Sequence, residues 1–332
     1  MMNSPGRRRI GWLGGTGAGV LLALLVSGGL LWRAADTDPA GTLDTFDGWF
    51  SRTRGSTLVE RAQYGSDPAQ KLAIHIPQGK APAGGFPLVV FFHGGGWRSG
   101  DPYAYGWIAR VLAEQGYATA LVGYRLNKGG RFPAMLEDSA AGTRFALAAA
   151  PKHGIDASAT VLSGHSAGAY NATMLSLDRQ WLGREGVPEG TVKGAVILAG
   201  PSDFYPYDKK SSINAMGHWP RPQDTQPINF VRADAPPLLL VHGTEDTVVR
   251  PRNARILARR LTEAGAPTKA VLMQGMSHDD LILKLANVFD RDARVSQAVF
   301  PFLKRVLPAQ AAQPAQAPAP APASSPVQPA GA

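Results

Sequence analysis

The sequence predicts an α/β fold: one mostly parallel β-sheet, doubly covered by helices, with a small cap insertion. Short apolar runs recur along the chain at Leu88–Phe92, Tyr117–Val122, Ala159–Leu162, Ala195–Ala199, Pro237–Val241 and Lys269–Met273, with helical segments between them. Such strand–helix alternation buries the strands on both faces and runs them parallel. A second observation is size: 332 residues at 44% hydrophobic composition can bury one sizeable core, and nothing in the middle marks a second. A third is that Gly, Ser, Asp and His gather just after the apolar runs, at the carboxyl ends of strands, where α/β sheets place their sites.

Taken in order, residues 1–32 place Arg7-Arg8-Arg9 before a mostly apolar stretch from Ile10 to Trp32, long enough to cross a bilayer at 1.5 Å per residue. It reads as an uncleaved membrane anchor or a signal segment, with a twin-arginine signal as a third reading. Positive charge stays on the cytoplasmic side, so each choice predicts an exported domain: inner-membrane anchored, or secreted or periplasmic after cleavage. Residues 33–45 read as a linker and 46–307 as the single large domain. The Ala/Pro/Gln run of 308–332 cannot bury a core and is expected to be a disordered tail. The net charge of +9 is scattered rather than gathered on a recognisable module, which argues for a solvated basic surface and against nucleic-acid binding. The chain has no cysteine, which fits either side of the membrane.

Leu88-Val89-Val90-Phe91-Phe92 reads as a fully buried strand ending in His93-Gly94-Gly95-Gly96-Trp97. A glycine run at a strand end suits an oxyanion hole, because backbone N–H groups approach most closely where no Cβ intervenes. Further on, the strand at Val161 runs into a helix through Gly164-His165-Ser166-Ala167-Gly168, a glycine-flanked serine on a sharp turn. This nucleophile elbow makes Ser166 the candidate nucleophile, and Gly95, Gly96 and Ala167 the candidate oxyanion donors. An acid and a base should follow on later loops. Asp246 lies in the Gly-X-X-Asp turn after the Leu238 strand, ahead of the adjacent competitor Glu245. His278 follows the Val271 strand, and alone among seven histidines it combines loop position, chain order and a preceding strand. His93 is expected to fix the glycine loop, His165 to pack under the turn, and His242 to end a buried strand.

Those roles describe acyl transfer, in which His278 deprotonates Ser166 and Asp246 holds the imidazole in the productive tautomer. No histidine pair has zinc-site spacing, so neither metal nor cofactor is expected.

From about Tyr64 to Leu307 the chain resembles the α/β-hydrolases of the carboxylesterase and lipase group that carry a His-Gly-Gly-Gly oxyanion motif. The resemblance rests on Tyr64-Gly65, Leu72 to Pro77, His93 to Trp97, Tyr124-Arg125-Leu126, Phe132-Pro133-Ala134, Asp138, Gly164 to Gly168, Asp246 and His278. His165 before the nucleophile, where hormone-sensitive-lipase-like members usually have Asp, is closer to the feruloyl-esterase-like and kynurenine-formamidase-like branch. The resemblance implies a serine carboxylic ester hydrolase acting on small or medium acyl esters. An amide hydrolase, either a formamidase or a prolyl-oligopeptidase-like peptidase, is the enzymatic alternative, and a catalytically silent envelope-anchored binding protein the non-enzymatic one.

One connection, about 201–236, is too long for a simple crossover and is expected to form a cap. Trp97, Phe204, Tyr205, Tyr207 and Trp219 are candidate pocket walls, although aromatics in the cap could equally pack it onto the sheet.

Overall fold

The computed structural model describes residues 55–285 and 292–307; the anchor or signal segment, the linker and the Ala/Pro-rich tail lie outside them. Strands β1 (Ser56–Gln63), β2 (Lys71–Pro77), β3 (Phe86–Phe92), β4 (Ala118–Val122), β5 (Ile155–His165), β6 (Val192–Leu198), β7 (Leu238–Gly243) and β8 (Thr268–Met273) form one sheet. Their spatial order is β1-β2-β4-β3-β5-β6-β7-β8. Pairing is parallel from β4 to β8, while β2 runs antiparallel to both β1 and β4.

Alternation along β3 shows why the sheet is covered twice. Leu88, Val90 and Phe92 face one apolar layer and Val89 and Phe91 the other, all of them 2% exposed or less. The first layer is closed by α2 (Ala134–Ala149), α3 (Ala167–Leu177), α4 (Arg179–Arg184) and α6 (Arg252–Glu263). The second is closed by α1 (Gly106–Glu114), α7 (Asp280–Leu283) and α8 (Arg294–Val306). The insertion between β6 and β7 carries α5 (Lys210–Met216) and two 3-10 turns, Pro222–Thr225 and Pro227–Phe230.

Register then decides what meets at the carboxyl edge. Phe92 pairs with Gly164, His165 with Leu198, Leu198 with Val241, and Gly243 with Met273. The glycine loop, the elbow and the two loops carrying Asp246 and His278 therefore leave the sheet at nearly one level. Strand order also reverses between β3 and β5, the switch point where α/β sheets open a crevice. Behind the glycine loop, Arg125 clamps the buried Asp138 with bonds of 2.7–3.0 Å from its guanidinium and 2.8 Å from its backbone N–H. Removing the Arg125 side chain would leave the Asp138 carboxylate, 2% exposed, without its cation.

Candidate active site

The elbow is as tight as its glycines suggest. Ser166 sits at φ 55°, ψ −116°, a conformation that side chains rarely adopt, and its N–H is tied to the Leu198 carbonyl at 2.9 Å. A Cβ on Gly168 would overlap the Phe92 carbonyl oxygen, and one on Gly164 would overlap the backbone of Gly168. Close approach of helix, strand and turn thus requires glycine at both positions. Because α3 begins at Ala167, the N–H of that residue has no acceptor within the helix.

Asp246 and His278 meet at the same edge, with Nδ1 of His278 2.7 Å from Oδ2 of Asp246. The carboxylate can only accept, so Nδ1 carries a proton, and in the neutral ring Nε2 is the nitrogen with the lone pair. All of the Asp246 acceptor capacity is used. Its Oδ1 takes the N–H groups of Val248 and Val249 at 2.9 and 2.8 Å, and its Oδ2 takes His278 together with His242 Nε2 at 3.2 Å. Burial pushes this carboxyl up, yet the hydrogen bonds from His242 and His278 hold it well below the usual carboxylate range. Glu245, the competitor, is exposed.

His242 and His165 do more than the sequence suggested. The single N–H of His242 Nε2 is shared between the Val249 carbonyl at 2.7 Å and, as the longer second acceptor, Asp246 Oδ2 at 3.2 Å, and so locks the loop that bears Asp246. His165 is buried under the turn as expected, but its Nε2 also reaches the carbonyl of His278 at 3.0 Å, linking the elbow to the loop of the base. Burial pushes His165 down to about 3, so the ring is neutral. The link from His165 was not legible, because partners 113 residues apart leave no local pattern in sequence. His165, His278 and Asp279 also offer ligand atoms within 4.8 Å of one another. In each of the two histidines, one ring nitrogen already serves the bonds just described.

In the glycine loop, Gly95 and Gly96 lie at φ +108° and +59°, and a Cβ on Gly95 would overlap the Ser99 carbonyl. That loop is held from behind. His93 donates to the Gly94 carbonyl at 2.7 Å, its ring stacks on Tyr124 at 4.5 Å, and burial pushes it down to about 4. Asn127 donates to the carbonyls of Trp97 and Arg98, each at 2.9 Å. The N–H groups of Gly95 and Gly96 meet no backbone acceptor among the described residues.

A cavity of about 620 Å³ opens at this edge, walled by Gly94 to Gly96, Ser166, Ala167 and His278 on the sheet side, and by Pro201, Phe204, Ser211 and Ser212 of the insertion. Trp97 and Phe204 line it, and each meets Tyr170 edge-on. Tyr205 and Trp219 do not, which corrects the sequence expectation. Trp219 packs on Phe132 at 5.0 Å and donates to Asp224 at 3.0 Å, fastening the insertion to the body. Tyr205 points outward, 48% exposed. Tyr207 bonds Thr225 within the insertion at 2.7 Å and is likewise absent from the wall.

A model of the BD-FAE family matches residues 72–261, more than half of the chain. Esterase LipC of Mycobacterium tuberculosis is 27% identical over 221 residues, covering 60% of this chain and 54% of that protein. A kynurenine formamidase of Danio rerio is 30% identical over 156 residues, covering 47% and 50%. This chain thus spans about half the length of the curated relatives it matches. Among solved structures, a truncated carbohydrate esterase from gut microbiota superposes with a TM-score of 0.66 at 21% identity, over 77% of this chain and 98% of that one, a likeness of fold. Strand order, elbow and matched segment agree: the chain has the α/β-hydrolase fold and belongs to the BD-FAE family.

Proposed function

We propose that this protein is a serine carboxylic ester hydrolase for small or medium acyl esters. The observation that carries the reading is the 2.7 Å Asp246–His278 pair opening onto the same cavity as the strained Ser166. A serine hydroxyl is a weak nucleophile at neutral pH, so His278 Nε2 takes its proton as Oγ attacks the ester carbonyl. Asp246 stabilises the imidazolium and keeps Nδ1 protonated throughout. Negative charge developing on the carbonyl oxygen falls to the N–H groups of Ala167, Gly95 and Gly96, which are already oriented and cost no reorganisation. His278 then protonates the departing alcohol, leaving an acyl-Ser166 ester. In the second half the same imidazole deprotonates a water, whose attack releases the acid and restores Ser166. A cavity of about 620 Å³ suits a substrate of modest size.

Hydrolysis of p-nitrophenyl esters from acetate to palmitate tests this reading, with Ser166→Ala as the control. Activity falling steeply beyond medium chain length, and absent in Ser166→Ala, is the expected result; equal activity in both proteins would overturn it. The formamidase relative favours a second reading, amide hydrolysis, which an N-formyl arylamine substrate would reveal. As the sequence expectation has it, the domain acts outside the cytoplasm, tethered by or cleaved from residues 1–32. Intact N-terminal mass spectrometry of the membrane and soluble fractions tests that placement.

A further inference from the structure

Five large apolar side chains are exposed among the described residues: Leu58 (41%), Tyr205 (48%), Ile213 (49%), Val248 (51%) and Leu283 (36%). Two of them line the mouth of the cavity and two more adjoin its lining residues in the chain. Val248 and Leu283 are part of its wall, Tyr205 stands between the wall residues Phe204 and Pro206, and Ile213 follows the wall residue Ser212. They come from three separate segments, the insertion, the loop after β7 and α7, so no single amphipathic element explains their meeting. Apolar side chains that could be scattered singly are instead gathered around one opening, the pattern of an interaction surface.

The charges among them indicate what that surface meets. Arg98, Lys209, Arg250 and Arg252 line the same mouth, and Lys210 adjoins it. Arg250 and Arg252 stand 3.5 and 3.8 Å from Asp208 and Asp203, while Arg98, Lys209 and Lys210 are in no ion pair among the described residues. Of the opposing acids, Asp101 is held by Lys71 at 2.7 Å, and Asp279 is exposed beside His278. Cations outside any ion pair, of which Lys209 donates only to the Thr247 carbonyl at 3.4 Å, interleaved with half-exposed apolar groups match the anionic headgroups and acyl boundary of a lipid leaflet.

We propose that the cavity mouth docks on an anionic lipid–water interface through Tyr205, Ile213, Val248 and Leu283, with Arg98, Lys209 and Lys210 on the headgroups. An ester dissolved in the leaflet would then enter the cavity without crossing bulk water. This goes beyond the hydrolase reading and is tested without turnover.

Because the chain has no cysteine, one introduced thiol labels one place. Full-length Val248→Cys, Ile213→Cys and Leu58→Cys, each carrying an environment-sensitive nitrobenzoxadiazole probe, are mixed with vesicles of phosphatidylglycerol and phosphatidylcholine. Probes at 248 and 213 should shift to shorter wavelength and be quenched by a lipid-embedded nitroxide, and the probe at 58 should not. High salt, or Lys209→Glu with Lys210→Glu, should weaken the shift. Every labelled chain carries the same N-terminal segment, so tethering by that segment alone would not separate the three positions. The proposal is overturned by equal signals at all three sites, by no shift at 213 and 248, by the same shift in phosphatidylcholine alone, or by a vesicle-independent shift that grows with protein concentration and so reports self-association.

Discussion

Replacing Asp246 by Asn changes almost no volume, yet the geometry predicts a severe loss of turnover. The two carboxylate oxygens have different partners: Oδ1 accepts from Val248 and Val249 N–H, Oδ2 from His278 and His242. An asparagine must keep its carbonyl on the side of the two fixed backbone donors, which places its NH2 group against His278 Nδ1. A donor there forces Nδ1 to accept and moves the ring proton to Nε2, the nitrogen needed to deprotonate Ser166. The reaction then requires the minor tautomer and also loses the charge that stabilises the imidazolium. The expected fall in kcat is about 10⁴-fold, roughly 5 kcal/mol in barrier. Folding should suffer far less, because the backbone bonds survive; only the contact with His242 turns donor against donor, a cost of about 1–3 kcal/mol. Steady-state kinetics on a p-nitrophenyl ester, run beside urea unfolding of the same samples, measures both quantities. A kcat within tenfold of the parent protein, in a variant that folds normally, would refute the assignment of Asp246.

Other outcomes follow from the same geometry. Gly95→Val should lower kcat by about 10²-fold or more, the scale of one lost oxyanion donor, because its side chain would meet the Ser99 carbonyl and displace the loop; a change confined to KM would make the loop a binding feature. His165→Phe keeps the ring but removes the donor to the His278 carbonyl, so kcat should fall by about tenfold while the urea midpoint moves little; unchanged kcat would show that the link positions nothing. Acid should destabilise the fold in a defined window. Burial lowers His75 and His93 to about 4 and His165 to about 3, below the roughly 6.5 of an unfolded histidine. The unfolded state therefore binds more protons below about pH 6.5, and the stability these groups contribute is lost as pH falls from there toward 4. Asp246, held down by its hydrogen bonds rather than by burial, adds its own loss below about pH 4. Urea midpoints measured from pH 7.5 to 4 should decline across that window, and a flat profile would contradict the burial argument.

What could be read in the sequence is what local patterns encode. The continuous apolar run of β3 is buried on both sides, so Leu88 to Phe92 needed no partner to be recognised. The elbow was legible because Gly164 and Gly168 answer a steric demand that any residue with a Cβ would violate. β1 was missed: its Ser-Thr-Leu-Val-Glu-Arg-Ala-Gln pairs on one side only and stays half exposed, so it shows neither an apolar run nor clean alternation. Tyr205 and Trp219 were misplaced for a related reason. Composition marks an insertion as aromatic but does not say which ring turns inward, and here Trp219 is spent on Phe132 and Asp224 while Tyr205 faces water. The place of His242 beside Asp246 depends on how the loop folds back from Gly243 to Val249, which no spacing rule captures.

In the proposed mechanism Ser166, activated by His278 and Asp246, is the nucleophile of an ester hydrolase. Treating the full-length protein with a fluorophosphonate, following loss of p-nitrophenyl acetate hydrolysis, and locating the adduct by tandem mass spectrometry tests it most directly. One phosphonyl group per chain is expected, on Ser166, formed in step with the loss of activity and at least about a hundredfold more slowly in His278→Ala, in keeping with removal of a general base. An adduct on another residue, or full hydrolysis persisting with Ser166 labelled, would contradict it.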